Sequence, residues 1–512
     1  MCCERADFKA TMKRLTLYII LLFLNSDLFA QISFSDASSK LPRNSAFYSF
    51  LHQAVADVNQ DGRDDIVRAD NTGKFYILYQ LADGTFSESS IGLVQNRSPL
   101  SIVLADLNND GVLDILTGGA YDGVRVVTSN ASASTYSVSR LPQDSIYTQA
   151  SAIADIDRDG LLDIFVCHDE GTSGIWRNLG NSSFQRNTLG INLNTVPLSD
   201  NSGNYGSIFT DFDNDGDLDL YLSKCSRFAP HDSLDPRRIN QLFVNQGNGT
   251  FLEQAKSFGM ADSSQTWVTE FQDIDNDGDL DAFIANHHSP SRLMLNNGHG
   301  HFTDITAASG LLGVVPEGIL HALMQDFDND GYMDLLVSGI TGATFFKNNH
   351  DLTFTPIALP LTNPTGDMPL RSFAWGDLNA DGFLDLYTSY NYGSTDPDRL
   401  WLNNKNENHF LSVRLIGTQS NKSSVGARIT ARLGTKTILR EVRAGESFGM
   451  SNSLTQILGI GTASKIDKLS ITWPSGQHTE MQNVAANQFL TLAEPDCQAV
   501  KCVEIKVKKI NK

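Results

Sequence analysis

Short apolar runs recur along most of the chain in a fixed rhythm. In the clearest unit, Ser151-Ala152-Ile153-Ala154 precedes an eight-residue interval, and Asp163-Ile164-Phe165-Val166 follows it. A turn leads to Gly174-Ile175-Trp176-Arg177, and another, over 178–181, to Ser183-Phe184-Gln185-Arg186. Runs this short, rich in β-branched and aromatic residues and bounded by Gly, Asn and Asp, predict strands, and no segment holds a helical period of useful length. The last turn recurs in Leu242-Phe243-Val244-Asn245-Gln246-Gly247-Asn248-Gly249-Thr250-Phe251, where Asn and Gly tolerate positive φ and predict a tight hairpin. Units of about 50 residues, each a four-stranded sheet, predict a β-propeller. Trp176 and Trp401 fall on third strands, where packing is the expected role.

The polar interval between first and second strands carries the chemistry. It reads D-x-D-x-D-G-x-x-D in Asp211-Phe212-Asp213-Asn214-Asp215-Gly216-Asp217-Leu218-Asp219. The other copies are Asp57-Asn59-Asp61-Gly62-Asp65, Asp106-Asn108-Asp110-Gly111-Asp114, Asp155-Asp157-Asp159-Gly160-Asp163, Asp273-Asp275-Asp277-Gly278-Asp281, Asp326-Asp328-Asp330-Gly331-Asp334 and Asp377-Asn379-Asp381-Gly382-Asp385. Successive first aspartates lie 49, 49, 56, 62, 53 and 51 residues apart. Oxygens at positions 1, 3, 5 and 9 can converge on one hard cation, with the position 7 carbonyl as a further ligand and the glycine allowing the sharp turn. Flexible all-oxygen coordination makes calcium the natural candidate, up to seven ions in all. Loops 1, 2 and 7 carry Asn at position 3 and are expected to bind more weakly. Asp64, Asp217 and Asp279, beside ligand positions, are expected to face solvent.

Composition fits this reading. The 512 residues carry a net charge of −20, and the loops' ligand positions supply 25 of the 59 acidic residues. Such acidity argues against a nucleic-acid backbone as partner. Lys13 and Arg14 ahead of the apolar run 15–24, with Phe29-Ala30-Gln31 behind it, predict a signal peptide over 1–30 and a secreted, cell-surface or periplasmic protein. That run is too short to span a bilayer, and no later stretch is long enough. Cys167 and Cys225 are expected as buried thiols, while Cys497 and Cys502 could close a small disulfide loop.

The seventh unit lacks a fourth strand after Arg399-Leu400-Trp401-Leu402, whereas Gln31 to Asp36, ahead of the first unit, resembles one. The simplest closure pairs the two ends in one blade, hiding an exposed edge. The fold class expected is therefore all-β: a seven-bladed propeller over 31–406, then a small antiparallel β domain over 407–494 without metal loops, then a tail over 495–512. The strands of that second domain are legible in Phe410-Leu411-Ser412-Val413-Arg414-Leu415, Ala427 to Leu433, Leu469 to Trp473 and Phe489 to Leu492, with Pro474-Ser475-Gly476 as a turn.

EF-hands require Glu at position 12 between helices; here that position holds Arg68, Thr117, Val166, Leu222, Ile284, Val337 and Thr388 within β-type sequence. The loops instead resemble the FG-GAP type repeat of integrin α-subunit propellers, over roughly 32–404. Residues 408–493 resemble the ASPIC/UnbV domain through Gly426-Ala427-Arg428-Ile429, Arg440-Glu441-Val442-Arg443-Ala444-Gly445, Leu458-Gly459-Ile460-Gly461 and Trp473-Pro474-Ser475-Gly476. Together they resemble a bacterial-type member of the cartilage acidic protein family.

The integrin resemblance implies calcium loops on one face and partner contacts on the other. The expected function is recognition of a protein or glycan, with calcium mainly structural. The expected rim residues are His168, His231, Trp267, His287, His288, His321 and Arg371, with Lys224, Tyr390 and Asp398 in the same loops. The alternative is a polysaccharide lyase or hydrolase using His287 or His321, although spacing identifies no catalytic set.

Overall fold

The computed structural model describes residues 32–42, 49–130, 132–226, 228–229, 234–288, 290–361, 370–390 and 397–496. The segment expected as a signal peptide, His231, and Cys497 with Cys502 lie outside these residues. Among the described residues the strands form seven four-stranded sheets of one pattern and a separate pair of sheets near the C-terminus. In blade 3 the strands are Thr148–Ala154, Asp163–His168, Gly174–Asn178 and Phe184–Arg186, paired antiparallel in chain order. Blades 1, 2, 4, 5 and 6 repeat it. Their first strands are Ser49–Ala56, Ser101–Ala105, Asn204–Thr210, Thr266–Gln272 and Ile319–Gln325.

Blade 7 takes Ser372–Gly376, Asp385–Ser389 and Arg399–Asn403 from one end of the ring and Phe34–Asp36 from the other. Phe34 pairs with Asn403 and Asp36 with Trp401, so the expected closure is observed. First strands of neighbouring blades contact each other all the way round, blade 7 meeting blade 1. Adjacent residues on a strand pack against opposite neighbours. Ala54 joins the cluster shared with blade 2, and Val55 the cluster shared with blade 7. Both faces of each sheet are therefore buried, which explains why first and second strands are continuously apolar instead of alternating. Trp176 and Trp401 are buried as expected, as are the free thiols of Cys167 and Cys225.

The C-terminal strands form a three-stranded sheet (Gln456–Gly461, His409–Ile416, Gln488–Ala493) and a four-stranded sheet (Lys436–Glu441, Arg428–Leu433, Lys465–Thr472, His478–Ala485) around one apolar cluster. The expectation of a purely antiparallel unit is corrected: His409–Ile416 and Gln488–Ala493 run parallel. The chain passes through the second sheet between them, so the closing strand re-enters in the direction of the opening one.

This pair of sheets sits on the loop face of the propeller and sends residues 442–453, all buried, down its axis. This plug meets every blade. Val55 N donates to Ser451 O at 3.0 Å, Ile102 N to Gly449 O at 2.8 Å and Ile153 N to Ala444 O at 2.9 Å. Arg443 Nη2 donates to Thr210 Oγ1 at 3.0 Å, Ser447 N to Glu270 Oε1 at 3.0 Å and Trp375 N to Asn452 Oδ1 at 3.2 Å. His321 Nδ1 lies 3.3 Å from Ser447 Oγ. Small residues are needed here: a Cβ on Gly445 would stand 2.4 Å from Ser151 O, and one on Gly449 2.7 Å from Leu100 O.

Candidate metal centres and binding face

Each acidic loop is held by its own first and last carboxylates. The position 1 aspartate follows the first strand and accepts the glycine N–H at position 6, as in Asp57 Oδ2 to Gly62 N at 2.9 Å and Asp377 Oδ2 to Gly382 N at 2.8 Å. The position 9 aspartate opens the second strand and is fully buried in all seven blades. Its Oδ1 accepts a third-strand amide, at 2.8 Å for Asp163 with Asn178 and 2.8 Å for Asp281 with Asn296. In every loop but the fourth its Oδ2 accepts the position 2 amide, at 3.1 Å from Ile156 to Asp163 and from Ile274 to Asp281. One carboxylate thus ties together three strands of a blade.

Burial makes these charges costly. It pushes Asp65 and Asp163 up to about 8, Asp114 and Asp155 to about 7 and Asp273 to about 8. Neighbouring carboxylates add to the shift. In loops 3 to 6 the aspartates at positions 1, 3 and 9 each offer an oxygen within 4.8 Å of the others: Asp155-Asp157-Asp163, Asp211-Asp213-Asp219, Asp273-Asp275-Asp281 and Asp326-Asp328-Asp334. The position 5 aspartates Asp159, Asp215, Asp277 and Asp330 stand outside these triads. Asp211 Oδ1, Asp219 Oδ2 and Asp275 Oδ1 are buried with no hydrogen-bond donor. A set of hard, anionic oxygens without donors fits a divalent cation such as calcium. In loops 1 and 2 the position 3 amides bond to the position 5 carboxylates, Asn59 Nδ2 to Asp61 at 3.2 Å and Asn108 Nδ2 to Asp110 at 3.0 Å.

Neighbouring loops are stitched together by two residues that the sequence reading passed over. In loops 1, 2, 3 and 6 the position 4 side chain donates to the glycine carbonyl of the next loop, as in Asn109 Nδ2 to Gly160 O at 3.1 Å and Asn329 Nδ2 to Gly382 O at 2.9 Å. The Asn ending the third strand reaches back to the preceding loop, as in Asn178 Nδ2 to Leu107 O at 2.8 Å and Asn296 Nδ2 to Phe212 O at 2.9 Å. That Asn recurs in five of the seven units, at 178, 245, 296, 348 and 403, which is the signal that could have found it.

The C-terminal sheets cap this ring of charge. Arg414 pairs with Asp57, Arg428 Nη1 lies 2.5 Å from Asp211 Oδ2, and Arg440 Nη2 4.0 Å from Asp326 Oδ2. Three expectations of solvent exposure are corrected. Asp64 is buried and accepts Ser453 Oγ at 2.8 Å and Asp377 N at 3.0 Å, joining plug, blade 1 and blade 7. Asp217 is buried and paired with Arg158, and Asp279 is buried beside the loop 5 carboxylates.

Of the described rim residues, His168, Trp267, His287, His288 and Arg371 lie toward the opposite face, and only some come together. Trp267 stacks on His287 with ring centroids 4.7 Å apart at 14°, and His288 meets His287 edge-on at 4.3 Å. Tyr205 and the plug's Phe448 back this platform at 5.2 and 5.0 Å from Trp267. Burial holds the His287 imidazole below the usual histidine range. His168 stands apart in blade 3, edge-on to Tyr121. Arg371, leading into blade 7, is half-buried with Nη1 3.4 Å from Gly339 O.

His321 is corrected: it is fully buried, packed on Phe448 and Phe373, because the plug fills the axis that it faces. Lys224, Tyr390 and Asp398 are buried too. Lys224 Nζ bonds Ser202 O and Asn204 Oδ1, Tyr390 OH accepts from Trp401 Nε1, and Asp398 accepts from Ser49 and Tyr387. The second-to-third strand loops and the connections into first strands, which build this face, expose Tyr121, Val196, Leu198, Leu312 and Ile340.

Repeated four-stranded sheets bearing acidic loops, capped by a β sandwich, define a class. Residues 57–117, 155–222, 273–337 and 326–388 match the FG-GAP-like repeat, and residues 417–499 match ASPIC and UnbV. The chain belongs to the family of FG-GAP-like repeat proteins with an ASPIC/UnbV domain, and cartilage acidic proteins are its homologues over most of its length. Cartilage acidic protein 1 of Mus musculus is 24% identical over 509 residues, covering 86% of this chain and 73% of that protein. The Homo sapiens protein is 25% identical over 272 residues, covering 50% of this chain and 40% of its own length. Among solved structures, an Agrocybe aegerita lectin described as recognising non-reducing terminal N-acetylglucosamine aligns with a TM-score of 0.42 at 18% identity, over 68% of this chain and 93% of its own. BBS1N in complex with ARL6DN aligns with a TM-score of 0.47 at 11% identity, over 72% and 96%.

Proposed function

We propose that the chain is an exported recognition module in which calcium holds the acidic loops together and the opposite face binds a protein partner. Carrying this reading is the asymmetry of the two faces. The loop face is covered by the C-terminal sheets, whereas the other exposes Tyr121, Val196, Leu198, Leu312 and Ile340 from three blades or the connections into them. Apolar side chains exposed on this face offer a partner an area to bury. Export is supported by the leader pattern over 1–30, and among the described residues no helix is long and apolar enough to cross a membrane. Calcium is supported at the all-aspartate loops by the converging carboxylates, and less so at loops 1, 2 and 7, where an amide replaces a charge.

A second reading, glycan binding, is favoured by one feature: the half-exposed Trp267–His287–His288 platform offers a flat aromatic face flanked by polar imidazole atoms, suited to a sugar ring. The polysaccharide-degrading alternative loses His321 as a candidate, since it cannot reach a polymer, and the matched families and relatives carry non-enzyme names.

The two binding readings separate on arrays of extracellular proteins and of glycans, probed in millimolar calcium. Ile340→Asp together with Leu198→Asp is expected to cut retention of a protein ligand at least tenfold; Trp267→Ala is expected to abolish retention of a glycan. Both variants should melt within a few degrees of the parent. Retention unchanged by either variant, or absent from both arrays, would count against a binding role for this face.

A further inference from the structure

We infer that loop 6 carries its own tethered cation, the Lys347 ammonium, in place of a bound calcium. This rests on the calcium reading of the other loops and divides them. Loops 4 and 5 hold buried carboxylate oxygens with no donor, as a metal site requires. In loop 6 the position 3, 5 and 9 carboxylates all face one ammonium. Lys347 Nζ stands 2.7 Å from Asp328 Oδ2 and 3.6 Å from Asp334 Oδ1, and it also contacts Asp330. The lysine side chain is only 7% exposed, so it is built into the blade and is not a surface residue swinging across a loop.

The position is equivalent in every blade: one residue before the third-strand end whose amide bonds the position 9 carboxylate. Asn348 N donates to Asp334 Oδ1 at 3.0 Å, as Asn296 N does to Asp281 Oδ1 at 2.8 Å. Blades 4, 5 and 7 place Val244, Leu295 and Leu402 there, which bring no charge. Blade 3 places Arg177, 2.6 Å from Asp157, but that guanidinium is 39% exposed and free to leave for solvent. Around loop 6 further cations close in. Arg440 lies 4.0 Å from Asp326, and Lys436 Nζ donates to Asp330 O at 3.0 Å. A divalent ion entering loop 6 would have to displace a buried ammonium that meets three carboxylates at once, whereas in loop 4 Arg428 meets Asp211 and leaves Asp219 Oδ2 without a donor, and in loop 5 Asp275 Oδ1 has none.

The test counts calcium per chain by native mass spectrometry on full-length protein equilibrated with calcium. Lys347→Gln is expected to bind one ion more than the parent, and the reciprocal Leu295→Lys one ion fewer. An equal, non-zero count in parent and Lys347→Gln overturns the inference while leaving the calcium reading intact. No calcium in any of the three overturns both. A calcium-free parent with one ion in Lys347→Gln upholds the inference and overturns the wider calcium reading. Should Lys347→Gln fail to fold, a calcium-soaked crystal of the parent decides. Nζ among the three carboxylates, with no anomalous peak in loop 6, upholds the inference, and a peak there with the lysine displaced overturns it.

Discussion

Moving the protein from millimolar calcium into metal-stripped buffer at pH 8 is expected to lower its melting temperature by roughly 10–20 °C. Each site held at a hundredfold excess over its dissociation constant adds about 2.7 kcal/mol, and three or four such sites sum to roughly 10 kcal/mol. In a fold of this size that corresponds to a shift of the stated order. The pH of the comparison matters. Burial raises the folded-state values of Asp65, Asp163 and Asp273 to about 8, and of Asp114 and Asp155 to about 7. A carboxyl raised in this way favours the fold while it is protonated in both states, below about pH 4. That contribution is lost as pH climbs through 7 to 8. Stripped protein should therefore lose stability between pH 5 and 8, and the gap between calcium-loaded and stripped melts should widen over the same interval. Melts that coincide at pH 8 with and without calcium would contradict this.

Arg443→Ala is expected to destabilise the calcium-loaded protein by about 3–5 kcal/mol. Its guanidinium lies at the start of the plug, with Nε donating to Glu441 Oε2 at 2.6 Å, Nη1 to Phe271 O at 2.8 Å and Nη2 to Thr210 Oγ1 at 3.0 Å. Burial alone would push the Glu441 carboxyl up, but Arg443 beside it, then Arg428, hold it below the usual range. Truncation would strand that carboxylate in the core, together with Glu446, 3.7 Å from Nη1. Removing the three charges together, in Arg443→Met with Glu441→Leu and Glu446→Gln, should recover much of the loss, since a buried ionic group replaced by uncharged side chains is often near neutral. Urea unfolding at fixed calcium measures both variants. A single-variant loss under about 1 kcal/mol would show that the plug contributes little to holding the two parts together.

The propeller was legible because its signal is local and repeated. Each acidic nonapeptide fixes where one strand ends and the next begins, and seven copies at nearly even spacing leave little freedom in the architecture. Ring closure was legible because Phe34 to Asp36 still looks like the strand that it replaces. The plug was not. Residues 444–453 are rich in Gly and Ser and read locally as an exposed loop, and their smallness has a cause only when the seven first strands surround them. The misplaced rim residues share that cause. His321 lies in a strand facing the axis and is a surface residue only if the axis is open. Asp64 and Asp217 look like spare loop charges until Ser453 and Arg158 arrive from distant sequence. Parallel pairing of His409–Ile416 with Gln488–Ala493 is likewise a contact across nearly the whole unit, with no local mark.

On the proposed calcium reading, divalent ions neutralise the acidic loops, and metal content measures that directly. Protein purified without chelator and dialysed against calcium-free buffer should retain about three calcium ions per chain by elemental analysis, one for each all-aspartate loop whose carboxylates are not already met by a buried ammonium. A folded chain that holds no calcium, and takes up none when returned to millimolar concentrations, would contradict the account.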